Sequence, residues 1–324
     1  MQIPIALAKE AFQMVEKSST IVIISHRSPD PDTIGSNFAL REIFERHGKK
    51  VTSACIDPLT EDVFFLPNYQ LTDQIDLEKT DLLLCVDSGS QNQAALTEKY
   101  PDLFSGQIPV INIDHHRSNN HYGTLNIVLP EAASTTAMIY ELLKIWNEKI
   151  TPGIATCLLY GLYFDTGSFM HSNTTDDVLQ IAGELLKYGA NLQAITQNLF
   201  HSHSVEKLKL WGKIFSEAQI TDHQVVVGAV TQEDLKKAGA ERQDISGAID
   251  YLSMIKNTQF ATMISEDEKG FVRGSLRTQK DNVNLSEIAE LLNGGGHKKA
   301  SGFQLEGKLK KVVRWEIKQS EDPS

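Results

Sequence analysis

The sequence Asp114-His115-His116 is the feature that most constrains how this chain can fold. It follows residues 108–113, a mostly apolar run that predicts a buried strand. Three ionisable side chains at the end of a buried strand are costly to desolvate without partners, and a divalent cation would supply one. Other ionisable residues follow apolar runs in the same manner: His26, Asp30 and Asp32 after residues 21–24, Asp87 after residues 82–86, and Asp165 after residues 158–164.

The apolar runs alternate with helix-like patterns, which predicts a mostly parallel sheet. The predicted strands of the first half are residues 21–25, 50–56, 80–86 and 108–113. In such a sheet, ligands gather beyond the carboxyl ends of the strands. Because His26, Asp87 and Asp114 each come directly after a strand, we expect them to meet at one edge of the sheet.

The segment from His26 to Asp32 is predicted to be a ligand-bearing loop, with a helix over residues 33–47 after it. Asp30 precedes Pro31, which biases the Asp30 backbone toward an extended conformation. Alternate residues of an extended segment point to the same side, so Asp30 and Asp32 are expected to face the site together. The alternative for Asp32 is a role as the N-cap of the following helix.

Two histidines and four aspartates are too many ligands for one ion and suit two. Carboxylate and imidazole ligands together favour Mn²⁺ or Mg²⁺ over structural zinc. Two ions about 4 Å apart can activate a water molecule and stabilise both oxygens of an in-line displacement. We therefore predict two divalent cations as cofactors. Without them the carboxylates would repel one another and their pKa values would rise.

These residues resemble the four motifs of the DHH phosphoesterase family, which correspond here to residues 25–36, Asp87, residues 114–116 and residues 165–167. The sequence Gly294-Gly295-Gly296-His297 resembles the glycine-rich signature of the DHH-associated domain. The resemblance covers most of the chain, from about Ser25 to Phe303. It is closest to the NrnA-like branch, which degrades very short oligoribonucleotides, linear dinucleotides and pAp. The chain departs from the family pattern at Pro31, where many members have glycine.

The resemblance implies an α/β fold with a mostly parallel-sheet DHH domain, a smaller α+β C-terminal domain and an active site in the interdomain cleft. It implies that one ion binds His26, Asp30 and Asp87, and that the other binds Asp32, Asp87, His115 and Asp165, with Asp87 as the bridge. For catalysis, we expect Asp114 to orient a histidine through its second nitrogen. His116 is placed to contact the substrate phosphate or the leaving oxygen; a purely supporting role is the alternative, and a general-acid role is left open.

The domain boundaries are predicted at residues 1–190 for the catalytic domain, 191–217 for a helical linker and 218–324 for a substrate-binding domain with a charged tail. Three consecutive glycines, Gly294, Gly295 and Gly296, let backbone amides approach an anion closely. A helix C-cap with a turn is the alternative. Four further residues are predicted to bind substrate: Arg273, Ser275 and Arg277, which alternate along a predicted strand, and His297.

The charge distribution favours a short substrate. The net charge is −11, and residues 1–199 contain 13 Lys and Arg against 24 Asp and Glu. Such a protein binds long nucleic acid poorly, because phosphate contacts need a basic surface. The expected partners are short RNA, a dinucleotide or pAp, and not long double-stranded nucleic acid or a membrane; a homodimer is left open. No apolar run is long enough to span a membrane, the N-terminus lacks a signal-peptide pattern, and three scattered cysteines suggest a cytoplasmic protein.

We therefore predict a two-metal phosphoesterase that hydrolyses short oligoribonucleotides and pApA-like dinucleotides to mononucleotides, and pAp to AMP. The first alternative is an inorganic pyrophosphatase or exopolyphosphatase on the same DHH domain. Pyrophosphatases of this type lack the triple glycine. The second alternative is a non-catalytic nucleotide-binding module, which would not need the complete ligand set. The sequence leaves open the preferred substrate, the polarity of hydrolysis and the identity of the metal.

Overall fold

The computed structural model describes residues 3–59, 63–67, 70–200, 204–296 and 298–312. The chain divides into two compact units, Met1–Ser202 and His203–Ser324. Within the residues described, no helix is both long enough and apolar enough to cross a membrane. The functional boundaries that the sequence predicts at residues 190 and 217 stay a prediction.

The first unit contains a five-stranded, wholly parallel sheet in the order β2-β1-β3-β4-β5. The predicted parallel sheet is therefore confirmed. The central strands β3 and β4 are buried at every residue, as expected of strands covered on both faces. The strands and helices of this unit are α1 (Ile5–Lys17), β1 (Thr20–Ile24), α2 (Pro31–Arg46), β2 (Lys50–Ala54), β3 (Leu82–Val86), α3 (Gln91–Ala94), β4 (Val110–Asp114), β5 (Leu125–Val128), α4 (Thr135–Ile145), α5 (Pro152–Asp165), α6 (Asp176–Lys187) and α7 (Leu192–Phe200).

The start of α2 corrects the predicted loop. Asp30 is the N-cap, and its Oδ1 accepts hydrogen bonds from the amides of Asp32, at 2.9 Å, and Thr33, at 3.1 Å. Pro31 occupies the first helical position, where its fixed φ and missing N–H suit a helix start. Asp32 is therefore helical and not in an extended segment, and the N-cap alternative does not apply to it. Asp30 and Asp32 nevertheless both belong to the groups of possible metal ligands at this edge of the sheet.

Helices α2 and α5 pack with their backbones in close approach. A Cβ atom added at Gly35 of α2 would lie 2.3 Å from the carbonyl oxygen of Cys157 in α5. Near the other end of the contact, a Cβ at Gly161 of α5 would lie 2.7 Å from Oδ1 of Asp32. The first turn of α2 therefore lies against the last turns of α5, which end at Asp165.

The second unit is a smaller α+β domain built on a six-stranded mixed sheet, in the order β10-β11-β9-β8-β7-β6. Leu210 of α8 and Leu252 of α10 belong to one hydrophobic cluster of this unit, and Leu285 and Ala289 of α11 belong to a second cluster. Strands β6, β10 and β11 were not predicted. The elements are α8 (Val205–Glu217), β6 (Gln219–Ile220), β7 (Val225–Val230), α9 (Gln232–Ala238), α10 (Ala248–Ser253), β8 (Phe260–Glu266), β9 (Phe271–Arg277), α11 (Leu285–Glu290), β10 (Gly295–Gly296) and β11 (Ala300–Glu306).

The close contact between α2 and α5 generates a stability prediction. We expect Gly35→Ala to lower the free energy of unfolding by about 1–3 kcal/mol, because the new methyl group overlaps the backbone of α5. Gly183→Ala in α6 is the matched control: a Cβ there meets nothing within 4 Å, and the change should be neutral or stabilising by up to about 1 kcal/mol. Urea denaturation measures both. Equal stability of the two variants would contradict the tight α2–α5 contact.

Candidate metal centre

The carboxyl ends of β1, β3 and β4 bring the predicted ligands to one edge of the first sheet. The ligand atoms form three overlapping groups, and within each group they lie within 4.8 Å of one another. The groups are His26, Asp30 and Asp87; Asp32, His115 and Asp165; and Asp87, His115 and His116. The predicted ligands therefore lie in a single cluster; their individual roles stay predictions.

Asp87 occupies the centre of this cluster. It follows β3 directly, is 2% exposed and has a left-handed backbone with φ 55°, a conformation that aspartate tolerates better than most residues. Its Oδ2 is 3.4 Å from Nε2 of His26. Its Oδ1 is 3.5 Å from Nε2 of His115 and 3.6 Å from Nδ1 of His116. The two oxygens of one carboxylate therefore face different ligand groups.

Backbone carbonyls orient two of the histidines. Nδ1 of His26 lies 2.8 Å from the carbonyl oxygen of Arg27, and Nδ1 of His115 lies 3.2 Å from that of Ala132. A ring nitrogen that faces a carbonyl must carry the hydrogen and donate it. In the neutral rings Nε2 is then the acceptor, and in both residues Nε2 faces the aspartates. This is how proteins commonly prepare histidine to bind a metal.

Asp114 is fully buried and contacts His116 rather than His115. Its Oδ1 lies 2.6 Å from Nδ1 of His116, and its Oδ2 accepts a 2.6 Å hydrogen bond from Nδ2 of Asn119. The same Asn119 nitrogen donates to Oδ1 of Asn112 at 2.7 Å. Neither asparagine was predicted from the sequence, although a polar residue such as Asn112 inside an apolar strand was a usable signal.

The first turn of α4 holds two of the carboxylates. Asp32 is fully buried and accepts three hydrogen bonds: from the amide of Thr135 at 2.6 Å, and from the amide and hydroxyl of Thr136 at 2.9 and 2.6 Å. The Thr135 hydroxyl donates to Oδ1 of Asp87 at 3.1 Å. A helix N-terminus stabilises negative charge. These threonines were not predicted from the sequence; their signal was the polar run at residues 134–136 before an apolar helix.

Asp165, the last residue of α5, completes the cluster, with Oδ2 at 3.2 Å from Nε2 of His115. The chain then turns through three successive left-handed residues, Gly167, Ser168 and Phe169. A Cβ at Gly167 would lie 2.3 Å from Nε2 of His171, so this glycine admits the histidine ring. The turn follows the end of α5 at Asp165, and the carboxylate of Asp165 faces His115.

Burial and mutual repulsion shift the pKa values of the cluster. Burial and the charge of Asp87 raise the pKa of Asp32 to about 7, and burial with the charge of Asp32 raises the pKa of Asp165 well above its usual range. Burial also acts to raise the pKa of Asp87, but contacts with His115 and His26 hold it below the usual carboxyl range. Burial acts to lower the pKa of His26, yet its contacts with two aspartates raise it to about 11.

The grouping of these donor atoms fits divalent cations. The carboxylates repel one another, and in the protein alone protons on aspartates and histidines, together with hydrogen bonds from the first turn of α4, relieve part of that repulsion. Divalent cations relieve it better, and their binding would displace such protons. The donor set is rich in oxygen, with imidazole and no thiolate, which suits Mn²⁺ or Mg²⁺. One ion would be held by His26, Asp30 and Asp87, and the other by Asp32, His115 and Asp165 together with Asp87.

The residues predicted to bind substrate lie in the second unit. Arg273 and Ser275 are exposed on β9, and Arg277 is partly exposed on the same face. Gly295 and Gly296 form β10 and pair with Gly302 and Ser301 of β11. The amide of Gly294 donates to the carbonyl oxygen of Ala289 at the end of α11. A Cβ at Gly294 would lie 2.1 Å from the carbonyl oxygen of Gly302, so packing alone requires this glycine. His297 lies outside the described residues. The substrate-binding assignments stay predictions.

The contact between Thr136 and Asp32 generates a prediction about metal affinity. We expect Thr136→Val to weaken Mn²⁺ binding about 10- to 100-fold, because Asp32 loses one of the hydrogen bonds that orient it. Isothermal titration calorimetry measures the affinity. Thr156→Val is the control, since it removes a buried hydroxyl that donates to the carbonyl oxygen of Pro152 at 2.7 Å, away from the carboxylates. Unchanged affinity in Thr136→Val would contradict this role.

Two family models match the chain. The model of the DHH family, N-terminal domain, matches residues 20–162, and the model of the DHHA1 domain matches residues 222–318. A protein named bifunctional oligoribonuclease and PAP phosphatase NrnA, from Thermus thermophilus, is 32% identical over 306 residues, which are 93% of this chain and 88% of the relative. A protein of the same name from Bacillus subtilis is 28% identical over 301 residues, 91% of this chain and 92% of the relative.

Two solved structures also resemble this chain. The crystal structure of an exopolyphosphatase-related protein from Bacteroides fragilis matches with a TM-score of 0.86 at 25% identity, over 96% of this chain and 93% of that one. The structure of exonuclease RecJ bound to manganese matches with a TM-score of 0.52 at 14% identity, over 94% of this chain and 91% of that one, which shows likeness of fold alone. The family models and the near-full-length relatives show that the chain belongs to the DHH family.

Proposed function

We propose that the chain is a two-metal phosphoesterase that hydrolyses short oligoribonucleotides, linear dinucleotides of the pApA type and pAp. The observation that carries the proposal is the position of Asp87, whose two oxygens face two separate groups of ligands. Full-length similarity to proteins named bifunctional oligoribonuclease and PAP phosphatase NrnA supports the substrate class. We further propose Mn²⁺ as the cation, with Mg²⁺ as the alternative; cytoplasmic location and a homodimer stay predictions.

The residues of the cluster divide the work of hydrolysis among them. When bound, two divalent cations lower the pKa of a water molecule and stabilise the charge that develops on the phosphoryl oxygens. The two carboxylate oxygens of Asp87 serve both ligand groups. Hydrogen bonds from the first turn of α4 hold the Asp32 carboxylate in place. Asp114 orients the His116 ring through Nδ1, and we assign Nε2 of that ring to the substrate phosphate or the leaving oxygen.

The second unit carries groups of its own that are suited to bind phosphate. Arg273, Ser275 and Arg277 share one face of β9, and guanidinium groups bind phosphate through paired hydrogen bonds. Arg277 already has a partner, because its Nε lies 3.4 Å from Oδ1 of Asp250. Residues 200–324 contain 18 Lys and Arg against 18 Asp and Glu. This balance supports capture of one or two phosphates rather than a long polyanion.

An exopolyphosphatase or inorganic pyrophosphatase is the second candidate. It is favoured by the structural similarity to an exopolyphosphatase-related protein, and a two-metal centre can cleave phosphoanhydrides as well as phosphoesters. The arginines on β9 do not decide between the two, because both substrate classes carry phosphate. Activity measurements on both substrate classes must therefore decide between the two functions.

A substrate panel tests the proposed function directly. The protein with Mn²⁺ is offered pApA, RNA of two to five nucleotides, pAp, inorganic pyrophosphate and polyphosphate, and products are separated by ion-exchange chromatography. We expect mononucleotides from the first two, AMP from pAp and little release of phosphate from the last two. Faster turnover of pyrophosphate or polyphosphate than of every nucleotide would overturn the proposal in favour of the second candidate.

Asp87 generates the sharpest activity prediction. We expect Asp87→Asn to reduce kcat on pApA at least about 10³-fold, because the amide cannot supply a charged oxygen to both ligand groups. Asp102→Asn, which removes an exposed carboxylate from the same unit, is the control and should keep wild-type activity. Near wild-type turnover by Asp87→Asn with Mn²⁺ bound would rule out the bridging role.

A further inference from the structure

A single buried carboxylate, Asp267, faces two arginines from different segments of the second unit. Its Oδ2 is 3.7 Å from a terminal guanidinium nitrogen of Arg242 and 3.6 Å from Nε of Arg273. Its Oδ1 is occupied by the amides of Lys269 and Phe271, both at 2.9 Å. Those two hydrogen bonds fix the carboxylate in place. Asp267 therefore offers one oxygen to two guanidinium groups.

Neither guanidinium is satisfied by this arrangement. Both distances exceed the usual length of a hydrogen bond, and within the described part of the chain neither Arg242 nor Arg273 donates one. Two positive charges face one negative charge, so the group carries an excess of positive charge. Partial burial and the nearby charge of Arg273 lower the pKa of Arg242, as expected where two cations lie close together. A second anion would relieve that repulsion.

The pair lies at one end of the face of β9 that carries the residues predicted to bind substrate. In the register of the sheet, Arg273 pairs with Ser265 and Ser275 with Met263. On the other side, Ser275 pairs with Gly302, which has no side chain to fill the space beside it. Arg273 is half-exposed, and Arg242 is 39% exposed. Solvent and a small ligand can therefore reach both guanidinium groups.

We propose that Arg242 and Arg273 together bind a terminal phosphate monoester of the substrate, distinct from the phosphoryl group that is hydrolysed. This inference rests on the proposed function and makes Arg242 a specificity-determining residue. A terminal phosphate monoester carries about −1.5 to −2 charge near neutral pH and presents three acceptor oxygens. Two guanidinium forks can match those oxygens, whereas an internal phosphodiester offers less charge and fewer oxygens.

Such a site would distinguish dinucleotides that carry a 5′-phosphate from those that lack one. A dinucleotide with a 5′-phosphate, such as pApA, contacts Arg242, whereas ApA, which lacks that phosphate, does not. We expect Arg242→Gln to lower kcat/KM on pApA about 10- to 100-fold, mainly through KM, because a charge-assisted hydrogen bond is lost. Turnover of ApA should change by less than about twofold. Arg242→Lys, which keeps the charge and loses the planar fork, should fall between wild type and Arg242→Gln.

Two controls separate this role from a structural one. Lys237→Gln removes an exposed cation that pairs with Glu233 at 2.7 Å on α9, and it should leave both substrates unaffected. Thermal midpoints show whether each variant is folded. Equal losses of Arg242→Gln on pApA and ApA, or no loss on pApA, would overturn the proposal. If Arg242→Gln does not fold, the ratio of pApA to ApA turnover in Arg242→Lys decides: an unchanged ratio overturns it.

A binding measurement distinguishes this inference from the proposed function. Calorimetry of the Mn²⁺-loaded protein with AMP and with adenosine should show tighter AMP binding in the wild type, and a loss of about 10- to 100-fold for AMP alone in Arg242→Gln. That result would support the site even if the wild type hydrolysed none of the nucleotides. AMP affinity that is equal in wild type and Arg242→Gln would refute the site, whatever the substrate panel shows.

Discussion

Repulsion among buried carboxylates is the constraint on which the rest of the first unit depends. Asp32, Asp87 and Asp165 meet His115 within a few ångströms of one another, and Asp32 is fully buried. Charges of one sign in a poorly solvated site are tolerated only with compensation. The chain supplies part of it through histidines oriented by backbone carbonyls and through the first turn of α4. The proposed cations supply the remainder, so the centre and the fold around it depend on the same electrostatic balance.

The backbone is arranged to bring these groups together. The parallel sheet places the ends of β1, β3 and β4 at one edge, which delivers His26, Asp87 and the residues after Asp114. Helices α2 and α5 contribute Asp32 and Asp165. The backbones of these two helices approach closely because Gly35 and Gly161 have no side chains. A Cβ atom at Gly161 would lie 2.7 Å from both Oδ1 of Asp32 and the hydroxyl oxygen of Thr136, so a side chain there would displace one of these two hydrogen-bonded groups. Ligand geometry therefore depends on helix packing as much as on the ligand residues.

Much of this site was predictable from sequence, because aspartate and histidine at the ends of apolar strands give a strong local signal. The backbone conformation of Asp32 was not, because helix α2 begins at Pro31 and places Asp32 in its first turn. The contacts of Thr135 and Thr136 with Asp32 join residues more than one hundred positions apart, and no local pattern reports them. Strand β10 was missed because glycines carry no strand signal, and the shared carboxylate of Arg242 and Arg273 depends on tertiary packing.

The measurement that tests the account most directly is the number and coupling of bound manganese ions. Mn²⁺ bound per chain is determined by elemental analysis after gel filtration, and electron paramagnetic resonance of the same sample reports whether the ions interact magnetically. The account predicts two ions per chain with the spectrum of an exchange-coupled pair, and loss of that coupling in Asp87→Asn. One ion per chain at saturation, or two ions with uncoupled spectra in the wild type, would contradict a centre bridged by Asp87.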